Sequence, residues 1–153
     1  MITIRRYSTV DHDHVWRVHL LVISEAGVEP THQHYHDIFH IEEQYLQSGG
    51  DFLVGTGARG QVIAMGGVKR LDDERAEIKR LRIHPEHQRK GYGRLMLDRL
   101  EERAKELGFS RITLDALHNQ HGAHALFKSN GYEEIGPAVV DGFNVILFEK
   151  SLM

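Results

Sequence analysis

The first fifty residues are patterned as one short strand followed by two helices. Ile2 and Ile4 alternate with polar residues, which indicates the strand. Asp11 or Asp13 is suited to cap the first helix, and Gly27 is suited to end it. Its apolar face consists of Val15, Val18, Val22 and Ala26. A loop is expected over 30–35, and the second helix after it has an apolar side of Ile38, Ile41, Tyr45 and Leu46.

Strands and helices alternate in part over the rest of the chain. Strands are predicted at 52–54, 61–68, 76–83, 111–116, 132–135 and 143–148. A long amphipathic helix from Tyr92 to Leu107 and a short one at 119–129 lie between them. A turn at Asp141-Gly142 joins the last two strands. This order predicts an α/β fold, one domain over 1–153 with a mixed central sheet and helices on both faces.

The composition narrows the class of protein. With 153 residues, 41% hydrophobic and 27% charged, the chain suits one compact domain. No apolar run reaches the roughly 20 residues that cross a membrane, and the N-terminus lacks an apolar signal core, so we expect a cytoplasmic protein that does not contact membranes. The absence of cysteine excludes disulfides, thiolate zinc sites and an acyl-cysteine intermediate. A net charge of -3 argues against nucleic acid as a partner.

The strongest functional signal is a glycine loop between a strand and the long helix. The strand ends at Pro85, and the loop reads Gln88-Arg89-Lys90-Gly91-Tyr92-Gly93. Helix starts carry unpaired N–H groups, glycines let the backbone approach an anion, and basic side chains add positive charge. These features suit a diphosphate. An ordinary turn with solvated basic residues has the same pattern, so the loop alone leaves both interpretations open.

The stretch Glu77–Gly93, with its Ile83-His84-Pro85 strand end and its Gln88-x-x-Gly91-x-Gly93 loop, resembles the signature of the GNAT superfamily of N-acetyltransferases. The segment 119–132 resembles the next helix and Gly-Tyr strand start of this family. The resemblance implies a single-domain GNAT-like fold with a mostly antiparallel sheet and acetyl-CoA as cosubstrate. It further implies direct acetyl transfer to a primary amine of a small molecule, amino acid or peptide, and it is compatible with a homodimer. A non-catalytic acyl-CoA-binding sensor is the alternative.

The resemblance also implies which residues bind the cofactor. Loop amides take the CoA diphosphate in this family, which here gives Gln88, Arg89, Lys90, Gly91, Tyr92, Gly93 and Arg94. The backbone of the preceding strand pairs with pantetheine, which gives Leu81, Arg82 and Ile83. Asn119 matches an asparagine beside the cofactor arm, with a helix N-cap as its other interpretation. The side chains of Arg80 and Arg82 share a strand face, where CoA phosphates, an acidic substrate or solvent are the alternatives.

Glu77 matches a strand position at which family members often carry a glutamate that acts as general base. An alkylamine has a pKa near 10, so a base is useful before it attacks the thioester. The other interpretation of Glu77 is a solvent-facing carboxylate paired with Arg75 or Lys79.

Phe127 departs from the family pattern, in which a tyrosine at this position is thought to protonate the CoA thiolate. Phenylalanine cannot donate a proton, so we expect it only to pack against the cofactor. Thiolate release without an acid is the preferred explanation, because the parent thiol has a pKa near 8.5. Tyr92, Tyr132 or a nearby histidine is the alternative donor.

Two further patterns suggest other kinds of site. The run 55–60 fits the Gly-x-Gly-x-x-Gly dinucleotide fingerprint, but residues 61–68 are strand-like, so a turn between strands is expected. His32, His34, His36 and His40 form a dense group, in which the spacing of His36 and His40 is that of metal-binding pairs. The alternatives are a polar loop that joins the two helices, a metal site and a substrate contact by one of these histidines. We expect no metal, and the substrate contact is favoured over the metal site.

Overall fold

The computed structural model describes residues 1–27 and 35–153. Its strands are β1 (Thr3–Arg6), β2 (Asp51–Thr56), β3 (Val62–Arg70), β4 (Arg75–Ile83), β5 (Arg111–Leu117), β6 (Glu133–Val140) and β7 (Phe143–Ser151). Its helices are α1 (His12–Glu25), α2 (His36–Phe39), α3 (Tyr92–Glu106) and α4 (His121–Ser129). Short 3₁₀ turns occupy Thr9–Asp11 and Pro85–His87, and a π-helical turn occupies Glu42–Leu46. None of the helices in the described ranges is both long and apolar enough to cross a membrane.

The seven strands form one sheet in the order β1-β2-β3-β4-β5-β7-β6. Every neighbouring pair is antiparallel except β4 and β5, which run parallel. The parallel pairing is short, because it covers only Arg75, Ala76 and Glu77 of β4. The mixed, mostly antiparallel sheet that the sequence predicted is therefore present, and it is interrupted in the middle.

Each face of the sheet carries its own hydrophobic core. On one face, α3 and α4 bury Met96, Leu97, Leu100, Ala104 and Phe127 against the strands. On the other face, α1 and the segment 35–46 bury Val15, Val18, Ile38, Ile41 and Tyr45. Most of the apolar positions that predicted the helices face these cores, whereas Ala26, at the end of the predicted stripe of α1, is exposed. The expectation of helices on both faces is therefore confirmed.

A β-bulge in β4 changes which of its side chains face each core. Two residues, Arg80 and Leu81, lie opposite the single Gly66 of β3, and Arg80 has a left-handed φ of 58°. Bulges add one unpaired residue and redirect the side chains beyond it. The α3-side core therefore takes Ala76, Ile78, Leu81 and Ile83, spaced by two, three and two residues.

The second predicted helix is broken in the structure. Its first part, α2, ends at Phe39, and the backbone of His40 leaves the helical region with φ -134° and ψ 45°. The chain then makes the π-helical turn, closed by a hydrogen bond from the Gln47 N–H to the Glu42 carbonyl of 2.8 Å. Tyr45 is still buried after the π-helical turn. The spacing of the apolar residues therefore resembles that of one continuous helix, although the helix is broken. The loop expected at 30–35 lies almost wholly outside the described residues.

The other predicted turns are present at their expected places. Asp141 and Gly142 both have positive φ, 51° and 81°, which is the geometry of a two-residue hairpin turn between β6 and β7. The run 55–60 covers the last two residues of β2 and the first part of the turn to β3, where the Gly57 N–H bonds to the Gln61 carbonyl at 2.9 Å. It opens no helix, so the dinucleotide fingerprint is excluded here as the sequence predicted.

Candidate functional site

A cleft opens where β4 and β5 stop pairing. Beyond Glu77 and its partner Thr113 the two strands diverge, and the space between them has a volume of about 790 Å³. On its other edge β4 remains paired to β3, through Arg82 with Met65 and Ile83 with Ala64. The edge that faces the cleft has no neighbouring strand, so its backbone groups are available to an extended ligand.

The structure places every β4 residue of the predicted set at this cleft. Leu81, Arg82 and Ile83 line it along the unpaired edge, and Glu77 lines it at the point where the strands separate. The bulge at Arg80 lies between these two positions. The divergence of the strands and the bulge thus bring the predicted base and the predicted pantetheine residues to one wall.

The glycine loop continues from this wall into α3. The Gln88 side chain donates a hydrogen bond to the Ile83 carbonyl at 3.0 Å, which ties the loop to the end of β4. Arg89 and Gly91 have left-handed φ values of 62° and 82°. The first backbone hydrogen bond of α3 runs from the Leu95 N–H to the Gly91 carbonyl at 3.2 Å, so the N–H groups before Leu95 have no helical partner. This geometry suits an anion.

The loop side chains differ in where they lie. Four of the seven predicted loop residues line the cleft: Gln88, Arg89, Tyr92 and Gly93. Lys90 and Gly91 are exposed outside it. The Arg94 guanidinium is directed to α4, where it donates to the Ser129 hydroxyl at 2.8 Å. For Arg94 only the backbone N–H remains suited to the phosphate role, because its side chain joins two helices.

Asn119 and Phe127 form the α4 side of the cleft. The N-cap of α4 is Gln120, not Asn119, so the capping interpretation of Asn119 is wrong. Phe127 is buried and packs edge-on against Phe148, with ring centroids 5.3 Å apart. It forms an apolar wall of the cleft, and its packing against the cofactor stays a prediction.

Tyr132 does not supply the missing acid. Its hydroxyl donates to a Glu101 carboxylate oxygen at 2.8 Å in the α3-side core, and burial raises its pKa far above the usual range. Tyr92 does line the cleft, and its hydroxyl accepts a hydrogen bond from the N-terminal amine of Met1 at 3.1 Å. Among the described residues, the histidines that line the cleft are His87 and His121.

Glu77 is half-buried and forms no ion pair with any described residue. Arg75 is instead bonded to Asp72 at 2.8 Å, which excludes it as the partner of Glu77. Burial raises the pKa of Glu77 above its ordinary value, Lys79 partly offsets this rise, and Asp115 on β5 adds to it. A raised pKa makes a carboxylate a stronger base.

The structure brings Asp115 and the side chain of Arg82 to the same cleft. The sequence did not predict that these two residues would lie together. Asp115 looks like any polar residue that alternates with Ile112, Leu114 and Ala116 on a strand. The structure also separates the two arginines of β4. Arg80 is bonded to Asp37 at 2.8 Å and 3.0 Å, whereas the Arg82 Nε is buried without a hydrogen-bond partner.

The histidine group is only partly described. His32 and His34 lie outside the described residues, whereas the rings of His36 and His40 lie together, with centroids 4.4 Å apart. Over residues 1–27 and 35–153, no three His, Asp or Glu side chains are grouped so as to hold a metal ion. His36 and His40 are not among the residues that line the cleft.

Comparisons with known proteins agree with this architecture. The human protein N-acetyltransferase 8 is 28% identical over 105 residues, which cover 65% of this chain and 46% of that protein. The chain thus spans about half the length of the curated relatives it matches. A GNAT-family acetyltransferase from Staphylococcus aureus Mu50 has the same fold, with a TM-score of 0.92 at 20% identity over 100% of both chains.

A further solved structure shows this fold with its cosubstrate. A GNAT family acetyltransferase from Elizabethkingia anophelis, with acetyl-CoA bound, has a TM-score of 0.70 at 17% identity, over 98% of this chain and 97% of that one. The sequence profile of the acetyltransferase (GNAT) family matches residues 13–132, which include the cleft, the loop and both flanking helices. The chain therefore belongs to the acetyltransferase (GNAT) family.

Proposed function

We propose that this protein is an acetyl-CoA-dependent N-acetyltransferase that transfers the acetyl group directly to a primary amine. The observation that carries the proposal is the continuous path from the unpaired edge of β4 to the unpaired N–H groups of the loop before Leu95. An extended amide chain suits the strand edge, and a diphosphate suits the helix start. Pantetheine diphosphate joins these two groups in one molecule.

The cofactor-binding residues are assigned by this path. Backbone groups of Leu81, Arg82 and Ile83 pair with pantetheine, and an N–H there polarises the thioester carbonyl. The diphosphate takes the loop amides, with positive charge from Arg89 and Lys90. The Asn119 amide forms no hydrogen bond with a described residue, so it is available to the cofactor arm. The full loop set is Gln88, Arg89, Lys90, Gly91, Tyr92, Gly93 and Arg94.

Glu77 acts as the base in this proposal. The amine nitrogen forms a bond to the acetyl carbon, the bond from that carbon to sulfur breaks, and the amine proton passes to the Glu77 carboxylate directly or through water. The thiolate then takes a proton from solvent, because Phe127 has none to give. The expected acceptor is an amine of a small molecule, amino acid or peptide.

Glu77→Gln is expected to lower kcat about a hundredfold, because general base catalysis contributes roughly 10²–10⁴ in rate. The KM for acetyl-CoA should change little, since the amide keeps the shape of the carboxylate. Thiol release from acetyl-CoA with a panel of amines measures both constants. The wild-type rate should fall as the pH drops through the raised pKa of Glu77, because only the ionised form accepts a proton. The variant should lose that step.

Glu133→Gln is the matched control, because Glu133 is an exposed carboxylate on β6, away from the cleft. A Glu77→Gln enzyme with the wild-type rate at every pH would remove Glu77 from the mechanism. Tight acetyl-CoA binding without thiol release for any amine would instead favour the acyl-CoA-binding sensor.

A further inference from the structure

A smaller pocket opens from the side of the cleft, and it contains features that the acetyl-CoA path does not use. Its volume is about 120 Å³. This side pocket is lined by the C-terminal part of α1, by β5 and by the turn between β6 and β7. Arg82 and Asp115 line both the cleft and the side pocket, so they lie where the two spaces meet. An acceptor that enters the side pocket therefore passes between a cation and a carboxylate.

Arg82 is a cation without a described counter-ion. Its Nε is buried without a hydrogen-bond partner, and among the described residues no carboxylate forms an ion pair with it. Burial and the positive charge of Arg80 lower the pKa of Arg82 to about 10. A buried charge costs stability unless it is paired. An arginine kept in this state is therefore suited to receive an anionic group, which its planar guanidinium binds through two parallel hydrogen bonds.

Asp115 provides the opposite charge on the facing strand. It forms no ion pair or hydrogen bond with a described residue, and burial raises its pKa while Lys79, Arg80 and Arg82 partly offset the rise. Glu77 lies two positions earlier in the strand register, opposite Thr113. Two carboxylates near one cavity attract an ammonium group, and Glu77 is the one proposed to remove its proton.

Apolar side chains line one part of the side pocket, and Tyr35, Arg80, Gln120 and Asp141 add polar groups to the rest of its lining. Ile23 of α1, Phe143 and Val145 of β7, and Leu117 of β5 contribute to its lining. A cavity of about 150 Å³ is large enough for benzene, so this one has room for a small aliphatic or thioether side chain. A cation, two carboxylates and an apolar recess match the three parts of an α-amino acid.

We propose that the acceptor is a free α-amino acid with an apolar side chain. Its carboxylate binds Arg82, its amino group lies against Asp115 and Glu77, and its side chain enters the side pocket. The inference rests on the proposed function, and it chooses among the three acceptor classes named there. A peptide N-terminus lacks the α-carboxylate, so the same site discriminates against it.

Matched acceptors test this without any variant. Leucine, methionine and valine are each compared with their α-amides and with the amines that lack the carboxyl group, by thiol release from acetyl-CoA. The wild-type kcat/KM should favour the amino acid at least about tenfold, because a site built to bind a polar group rejects an analogue lacking it. The amino group of an α-amide is less basic than that of the amino acid, so more of it is unprotonated and able to attack at neutral pH. This difference favours the amides and therefore works against the expected result. Equal or better rates with the amides and simple amines would overturn the proposal.

In Arg82→Gln, the kcat/KM for the amino acid divided by that for its amide should fall close to one, because the KM for the amino acid rises. Arg82→Lys should keep part of the preference, because it keeps the charge but loses the two parallel hydrogen bonds. Arg99→Gln, which removes an exposed arginine of α3, is the control and should keep the wild-type ratio. A ratio that stays high in Arg82→Gln would exclude Arg82 as the carboxylate-binding residue.

Calorimetry separates failure of this inference from failure of the transferase proposal. Leucine is titrated into the protein saturated with CoA, and binding should weaken at least about tenfold in Arg82→Gln. Binding of this kind without acetyl transfer would contradict the transferase activity and support the amino acid site. Transfer to amines with no preference for the carboxylate, or no binding of any of the three amino acids, would overturn the amino acid site.

Discussion

Arg80 and Arg82 lie two residues apart on β4, and the positive charges of both act on His19, yet their side chains serve different ends. Arg80 is bonded to Asp37, which the Tyr45 hydroxyl also contacts at 2.5 Å. This network joins β4 to α2 and holds the pKa of Asp37 at about 2, against the effect of burial. The Arg82 Nε has no such bond with a described residue, so we expect the side chain of Arg82 to contribute little to stability.

Stability measurements should separate the two arginines. Arg80→Met should lower the free energy of unfolding by about 3–5 kcal/mol, because it leaves the Asp37 carboxylate buried without its cation. Arg82→Met should leave that free energy unchanged or raise it, since it removes an unpaired charge. Urea unfolding at pH 7 measures both. An equal loss in the two variants would show that Arg82 has a structural partner.

The sequence identified those candidate site residues that lie close together along the chain. Glu77, the strand Leu81–Ile83 and the loop after Pro85 are close together in sequence, so one motif covers them. The pairing of Arg80 with Asp37, 43 residues apart, and the approach of Asp115 to Arg82 depend on strand register and on the bulge. A single non-glycine residue with positive φ lies at that bulge, and no residue pattern signals it.

At the scale of elements, the junction of β4 and α3 combines a strand edge with a helix start. Gly91 occupies the N-cap of α3 in the left-handed region, and a Cβ placed there would meet nothing within 4 Å. The space around Gly91 is therefore open, and Gly91 directly precedes the residues whose N–H groups lack a helical partner. A side chain at this position therefore alters the anion site without disturbing the core.

Gly91→Glu should abolish acetyl-CoA binding with little loss of stability. The carboxylate repels the diphosphate at a helix start, where negative charge is otherwise favoured. Gly91→Gln is the control, since it has nearly the same size and the same left-handed strain of about 1 kcal/mol but no charge. Calorimetry with acetyl-CoA and thermal unfolding of all three proteins give the comparison. Equal affinities for the Glu and Gln variants would remove the diphosphate from this loop.

Helical periodicity predicted α1, α3 and α4 within a few residues but not the break at His40. The buried side chains Ile38, Ile41 and Tyr45 are spaced as a continuous helix would space them. The break is set by tertiary contacts, because Asp37 must reach Arg80 while Tyr45 packs against Phe52 with ring centroids 5.1 Å apart. Periodicity carries no information about a contact with a distant strand.

At the scale of the whole molecule, the α1-side core contains one titratable group that it leaves unpaired. His19 is fully buried between Trp16 and Tyr35, and neither ring nitrogen has a hydrogen-bond partner among the described residues. Burial, with the charges of Arg82 and Arg80, lowers its pKa to about 3, an effect that Asp37 opposes only weakly. His19 is part of the core of the fold, although it was not among the apolar positions that predicted α1.

This histidine should make the whole fold sensitive to mild acid. Between pH 6.5 and about 3 the unfolded chain binds a proton at His19 and the folded chain does not, so stability falls as the pH falls. One such site accounts for about 1.4 kcal/mol per pH unit in the middle of this range. His19→Leu removes this titratable group and replaces it with an apolar side chain of similar size. Urea unfolding at pH 6 and pH 5 should therefore show a smaller loss for the variant, by roughly 1 kcal/mol.

Both proteins contain the same carboxylates. The difference between their unfolding free energies at each pH therefore reports the effect of His19 alone. Burial raises the pKa of Glu77 and Asp115 in the folded state, so their protonation opposes the loss in both proteins equally. His14→Leu removes an exposed histidine of the same helix and should keep the wild-type dependence. If His19→Leu and the wild type lose stability in parallel, the His19 ring takes up its proton over the same pH range in the folded protein as in the unfolded chain. In that case a partner must stabilise its charge, since an unpaired imidazolium in this core would cost more than folding can offset.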